Sequence, residues 1–195
     1  MDVYLEKEKI RRTVLEELEK QPLDERQKKS SEIIEKLRRS PEFQASRAVM
    51  FYAATPFEVD TIPFLKEVLK SGRVVFLPFV DEASKSLLSV QIRNIEQDLI
   101  HGTYGILEPR RELVKAFDIN HLDLVLVPGL AFDRKSHRLG RGKGYYDRFL
   151  KTLPAHVKRW GLAFDFQLFD SILVGDADAP VDRVITNDSF ARESS

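Results

Sequence analysis

The chain has 195 residues, enough for one full hydrophobic core, and 43% of them are apolar, as in ordinary globular domains. Its 31 basic and 31 acidic side chains cancel, which excludes a whole-molecule field drawing it to nucleic acid or an anionic membrane. With no cysteine there is no disulfide or thiolate chemistry, no apolar run has spanning length, and no leader stands at Met1, so a cytoplasmic protein is expected.

Strand-like and helix-like runs alternate without internal repeat or low-complexity linker. The pattern predicts an α/β fold: a single three-layer domain over residues 1–190 with a mostly parallel central sheet flanked by helices, and a frayed tail at 191–195. The first helix is predicted over 3–20. At about 100° per residue, Val3, Ile10, Val14 and Leu18 form one stripe, with Lys7 near its middle and Arg11 within about 40° of it. A single such cation reads as a snorkelling side chain. Two, one turn apart, can converge on one polyanion and form a candidate phosphate clamp.

A second helix is predicted over 24–39, with Asp24 as N-cap and Gln27 three residues on. A strand follows at 47–53. Glu58 and Asp60 come next, where α/β sheets place ligand-facing loops, although Asp60 or Thr61 can also cap the helix expected over 61–71 and closed by Gly72. Strands are predicted at 73–80 and 87–93, and 102–109 is turn-rich. The β-branched apolar run Asp123-Leu124-Val125-Leu126-Val127-Pro128 reads as a buried central strand.

After that strand comes Arg138-Leu139-Gly140-Arg141-Gly142-Lys143-Gly144-Tyr145-Tyr146-Asp147-Arg148, then a helix that Pro154 stops. Glycines let backbone N–H groups approach phosphate oxygens, the helix start adds its positive dipole end, and Arg141 and Lys143 supply mobile charge. Two better-known glycine loops are excluded by spacing. A dinucleotide fingerprint needs glycine where Tyr145 stands, and a Walker A loop needs Ser or Thr where Gly144 stands. Asp147 can complement the helix dipole or, beside bound phosphates, hold magnesium, with Asp182 as a second oxygen donor. Further strands are predicted at 158–164 and 183–186, with a short apolar helix around 167–172. The four histidines have no ligand spacing, and no covalent nucleophile arrangement is visible.

Residues 126–133 and 138–148 together resemble the signature of the 5-formyltetrahydrofolate cyclo-ligase family, also called 5,10-methenyltetrahydrofolate synthetases. Weaker echoes are Lys7 and Arg11, Glu58, Gly105-Ile106-Leu107-Glu108-Pro109 and Pro180-Val181-Asp182. The resemblance implies ATP contacts from Lys7, Arg11, Arg138, Leu139, Gly140, Arg141, Gly142, Lys143, Gly144, Tyr145 and Tyr146. It implies folate contacts from Ala53, Glu58 and residues 141–145, magnesium at Asp147 and Asp182, and catalytic roles for Arg141, Lys143 and Tyr145. Ser136 and Ala177 depart from a glycine and a histidine expected in many members.

The implied reaction converts 5-formyltetrahydrofolate to 5,10-methenyltetrahydrofolate. ATP phosphorylates the formyl oxygen, N10 attacks the activated carbon, and ADP and phosphate are released. The expected partners are ATP and 5-formyltetrahydrofolate, with no nucleic acid, no membrane and a monomeric state. Two other readings compete. A phosphosugar isomerase or CoA-transferase-like enzyme of related fold would consume no ATP. An RNA- or nucleotide-binding module would use the basic, tyrosine-bearing stretch 134–148.

Overall fold

Residues 3–102, 105–115 and 118–188 are described in the computed structural model of the chain, and the tail expected to fray, 191–195, lies outside them. The elements in chain order are α1 (Val3–Lys20), α2 (Leu23–Arg39), α3 (Pro41–Ala45), β1 (Ala48–Met50), α4 (Ile62–Lys70), β2 (Val74–Asp81) and β3 (Ser86–Ile92). Then come α5 (Ile95–Asp98), β4 (Leu99–His101), β5 (Leu107–Pro109), β6 (Leu124–Val127), β7 (Ala131–Asp133), β8 (Arg138–Leu139), α6 (Tyr145–Thr152), β9 (Lys158–Leu162), β10 (Leu168–Phe169) and β11 (Arg183–Ile185). Among the described residues no helix is long and apolar enough to cross a membrane.

Six strands form the central sheet in the order β11-β9-β6-β1-β2-β3, parallel throughout except for β3, which returns antiparallel from β2 at one edge. Period-two alternation splits the strand side chains between two faces. Val49, Phe51, Leu124 and Leu126 join Val14, Leu18, Ile33, Leu37, Leu65 and Val68 of α1, α2 and α4 in one apolar cluster. Met50, Phe76, Val125 and Val127 face the other way, onto Phe149 and Leu150 of α6. All four residues of β6 are 0% exposed, so a single polar substitution there would put an unpaired group between two cores.

The chain leaves β1 to one side for β2 and returns to its other side with β6. The order of strands therefore reverses at β1 and β6, and the crevice beyond their carboxyl ends is where open α/β sheets bind ligands. Residues 53–60 follow β1 there, and the chain leaving β6 passes through β7 and β8 before the glycine loop.

Four expectations need correction. The strand expected over 47–53 has ladder geometry only at Ala48–Met50, although the Phe51 N–H still donates to Phe76 O at 2.9 Å. Asp24 is not the N-cap of α2: Pro22 holds that place with its carbonyl on Arg26 N, and Asp24 lies in the first turn. Residues 167–172 do not form a helix. A 3-10 turn at Asp165–Gln167 leads instead into β10, which pairs parallel with β7 (Leu168 with Phe132), so long-range pairing overrides the local helical spacing. Within the turn-rich stretch 102–109, β5 pairs antiparallel with β4.

Candidate active site

The loop after β6 is shaped by a phenylalanine. Phe132 is fully buried, and a Cβ on Gly129 would lie 2.6 Å from its ring while one on Gly161 would lie 2.5 Å away, so both glycines leave the volume that the ring fills. Next to it, Asp133 is buried and accepts four bonds. Oδ1 takes the N–H groups of Lys135 and His137, both at 2.9 Å; Oδ2 takes the N–H of Ile172 at 2.9 Å and lies 2.9 Å from His137 Nδ1. Burial alone would raise its pKa, but the Ile172 N–H, the His137 ring and the other donors outweigh burial and hold the carboxyl below its ordinary value. One carboxylate thus pins both the β7–β8 connection and the segment after β10. Inside that connection Ser136 has φ +64°, a left-handed conformation that suits glycine, which gives the missing glycine at this position a physical meaning.

Beyond β8, Gly142 (φ +93°) and Gly144 (φ +67°) take conformations unfavourable to any residue with a Cβ. Gly144 is the N-cap of α6 and offers no side chain to its first turn, so the opening N–H groups of a helix face the loop without a capping oxygen. Such a helix start favours an anion.

Cations converge here from distant parts of the chain. Arg11 donates from Nε to Gly140 O at 2.9 Å, its guanidinium carbon stands 3.6 Å from where a Cβ of Gly142 would be, and it also pairs with Glu8. Lys7, one turn earlier, pairs with Asp178. Asp178 also accepts the Gly175 N–H at 2.7 Å. Burial would raise its pKa, and the Lys7 ammonium and that N–H together lower it. Arg138 is 4% exposed and donates to Asp147 Oδ1 at 2.7 Å, which also takes the Ala179 N–H at 3.2 Å. Residues 175–179 therefore tie α1 to the start of α6. Lys143 is exposed, and among the described residues its ammonium has no protein partner.

On the β1 side, Glu58 Oε2 accepts the Thr55 N–H at 2.9 Å while Oε1 lies 4.0 Å from Arg141 Nη2, so the expected substrate-side acid meets the glycine loop. Ala53 is nearly buried just past the end of β1, and Leu139 is buried in β8. Tyr145 carries the Arg148 guanidinium over its ring at 5.2 Å. Tyr146 lies under the Arg138 guanidinium at 5.6 Å and buries a hydroxyl that has no partner among the described residues. Burial, then the negative charge of Glu58, push that phenol far above its ordinary pKa, with Arg138 pulling the other way.

The two acids expected to share magnesium have separate partners. Asp147 keeps Oδ2 free of protein bonds among the described residues, which fits a metal already held by phosphate oxygens. Asp182 Oδ2 accepts the Arg159 N–H at 2.7 Å. Arg159 pairs with Val125 and Val125 with Met50, so Asp182 stands level with Met50, three strands across the sheet and about 10 Å short of Ala53 along the strand direction. Among the described residues no group of three or more His, Asp or Glu gathers as a ready metal cage. In the basic stretch 134–148, Arg134 pairs with Asp170 at the surface, Arg138 is buried against Asp147 and Arg148 donates to Lys85 O, while Lys143 and, but for its 4.0 Å contact, Arg141 keep exposed charge. Sequence reasoning included Asp133 in the signature run 126–133 but gave it no role, and it missed Asp178.

Comparison with known proteins agrees with this geometry. The sequence model described as the 5-formyltetrahydrofolate cyclo-ligase family matches residues 3–187. The 5-formyltetrahydrofolate cyclo-ligase of Mus musculus is 32% identical over 176 residues, covering 86% of this chain and 87% of that protein. The cyclo-ligase of Escherichia coli (strain K12) is 29% identical over 148 residues, covering 75% and 81%. Among solved structures, the NMR structure of Aquifex aeolicus 5,10-methenyltetrahydrofolate synthetase superposes with a TM-score of 0.82 at 32% identity, over 97% of this chain and 94% of that one. The synthetase from Mycoplasma pneumoniae shares the fold, with a TM-score of 0.75 at 24% identity over 93% and 99% of the two chains. A match running from α1 through β11, with the crevice and the cations that surround it, means that the chain belongs to the 5-formyltetrahydrofolate cyclo-ligase family.

Proposed function

We propose that the glycine loop, Arg11 and Lys7 hold the triphosphate of ATP, and that ATP drives the conversion of 5-formyltetrahydrofolate to 5,10-methenyltetrahydrofolate, the ligase reaction of this family. The observation that carries the proposal is the 2.9 Å bond from Arg11 Nε to Gly140 O. A cation from the first helix is held at a turn whose left-handed glycines and uncapped helix start already favour an anion.

The substrate explains the need for phosphate. A formamide carbon resists attack because nitrogen donation quenches it and its oxygen is a poor leaving group. Transfer of the γ-phosphoryl group to the formyl oxygen removes both obstacles. N10 then attacks the carbon, loses its proton, and phosphate departs with the C–O bond, leaving the methenyl bridge and ADP. The chain's share is positioning and charge neutralisation. Lys143, uncommitted and exposed, follows the transferring group, and Arg141 leaves its loose 4.0 Å contact with Glu58 to join it. Glu58 is fixed by the Thr55 N–H and holds the pterin end of the folate, while the ring of Tyr145 gives it a flat face.

Asp147 would hold magnesium through its free oxygen, and the ion when bound neutralises phosphate charge. Asp182 would have to leave the Arg159 N–H to reach the same ion. Cytoplasmic residence and a monomeric state complete the proposal, and the balanced charge of the chain supports its independence from nucleic acid and anionic membranes. The test mixes purified protein, 5-formyltetrahydrofolate, magnesium and ATP and follows the near-ultraviolet absorbance of the methenyl product. Product should form only with ATP present and with one ADP per turnover; ATP-independent product would overturn the proposal.

A further inference from the structure

Arg148 has no part in the reaction proposed above, yet its guanidinium joins three parts of the chain. Nε and Nη2 donate to Lys85 O at 3.1 and 2.8 Å, and Nη1 donates to Lys143 O at 3.3 Å. The same Nη1 stands 2.9 Å from where a Cβ of Gly144 would be, so the glycine leaves it room against the loop backbone. One planar fork thus spans two carbonyls. The post it leans on is itself fixed. β2 runs on from Phe76, its last partner in β1, to Asp81, about 17 Å further, so the tip of the β2–β3 hairpin stands beyond the carboxyl ends of the strands, beside the loop. Within the tip Asp81 accepts the Ala83 N–H at 3.3 Å and the Ser84 hydroxyl at 2.6 Å, and Leu87 joins the apolar cluster of Phe149 and Leu150.

In a planar trans peptide the C=O and the N–H point in opposite directions. Arg148 on the Lys143 carbonyl therefore turns the Gly144 N–H the other way, and Arg11 on the Gly140 carbonyl does the same for the Arg141 N–H. Among the described residues none of the N–H groups of 141–144 has a protein acceptor, the arrangement of donors that suits an anion. Left to itself, a loop with three glycines loses such an orientation easily, because glycine moves between backbone wells at little cost. We propose that Arg148 is a positioning residue for the known reaction: braced on the β2–β3 hairpin, it holds the Lys143 carbonyl outward and so keeps the Gly144 N–H turned toward bound phosphate. The proposal rests on the ATP reading of the loop. It makes the hairpin tip, remote in sequence from the signature, part of what preorganises the nucleotide site.

Steady-state kinetics with ATP and 5-formyltetrahydrofolate varied separately test this. Arg148→Ala should raise the ATP KM about tenfold, the scale of one N–H donor lost from a charged group, and leave the folate KM within about twofold. Arg148→Lys keeps the charge but reaches one carbonyl at a time, so its ATP KM should stay at least about threefold above the wild type. Asp81→Ala frees the hairpin tip without touching the loop. It should raise the ATP KM about threefold on its own and add nothing in the Arg148→Ala background. Arg148 is exposed, and melting curves verify the folding of each variant. An ATP KM unmoved by Arg148→Ala, or a folate KM rising in step with it, overturns the positioning role. So does a wild-type ATP KM in Arg148→Lys, which would make the residue a charge and not a fork. An Asp81→Ala variant without effect, or with an effect that simply adds to that of Arg148→Ala, overturns it as well. Product formed by the wild type without ATP would overturn the ATP reading itself, which separates the two failures.

Discussion

Replacing Asp133 by asparagine keeps the shape of a buried side chain and removes half of its acceptor capacity. The carboxylate receives two donors on each oxygen: Lys135 and His137 N–H on one, Ile172 N–H and the His137 ring on the other. An amide keeps one oxygen for Lys135 and His137 N–H and turns its NH2 toward the other pair, where His137 can present Nδ1 as an acceptor in its other tautomer but the Ile172 N–H is left facing a donor in a site with 0% side-chain exposure. At about 1–3 kcal/mol for the orphaned N–H, and with the remaining bonds no longer assisted by a carboxylate charge, the expected loss is about 3 kcal/mol. For a chain of this size that corresponds to a fall of roughly 6–12 °C in Tm. The pH dependence gives a second readout. Because the folded pKa of Asp133 is depressed, its contribution is fully present above the unfolded value near 4 and is lost as pH falls through the folded value. Urea denaturation of both proteins should therefore show a gap of about 3 kcal/mol at pH 7 that narrows below about pH 4. A gap under about 1 kcal/mol at pH 7, or one that stays constant between about pH 5 and pH 3, would refute the hub role.

Lys143→Ala should lower kcat by about a hundredfold or more while Tm stays within a degree or two, since the ammonium has no hydrogen-bond or ion-pair partner among the described residues; near-wild-type production of the methenyl chromophore would remove Lys143 from the chemistry. Gly142→Ala has room for its methyl, 3.6 Å from the Arg11 guanidinium carbon, but not the backbone freedom for φ +93°. It should raise the ATP KM about tenfold through a loop strained by about 1–2 kcal/mol, and an unchanged ATP KM would argue that the turn does not touch phosphate. Ser136→Gly should stabilise the protein by about 0.5–1 kcal/mol, because relief of the left-handed strain exceeds the added chain entropy, and a lowered Tm in differential scanning would contradict that.

Much of the frame was legible because its signals are local. The β6 run has no polar residue to place outside, and the sheet buries both of its faces. The stripe on α1 pointed Arg11 inward, and the fold brings it to Gly140. The pairing of β7, β8 and β10 was not legible. These strands have two or three residues each, too few for a period, and Leu168-Phe169 is committed by residues 36 positions earlier. Asp178 was missed for the same reason: an Asp in a polar loop looks solvated until Lys7 is found beside it. Asp147 and Asp182 looked alike as acids near a site, and only the register of β9 with β6 and β1 separates them.

The pairing of Lys7 with Asp178 spans 171 residues, and that of Arg11 with Gly140 spans 129. During synthesis α1 leaves the ribosome well before the groups that hold its cations in place. A nascent chain stopped short of residue 178 cannot close this clasp, so on the proposed reading ATP capture waits until that residue has been made. On the same reading a protease cut just behind the first helix would loosen the nucleotide site together with the core that Val14 and Leu18 help to fill.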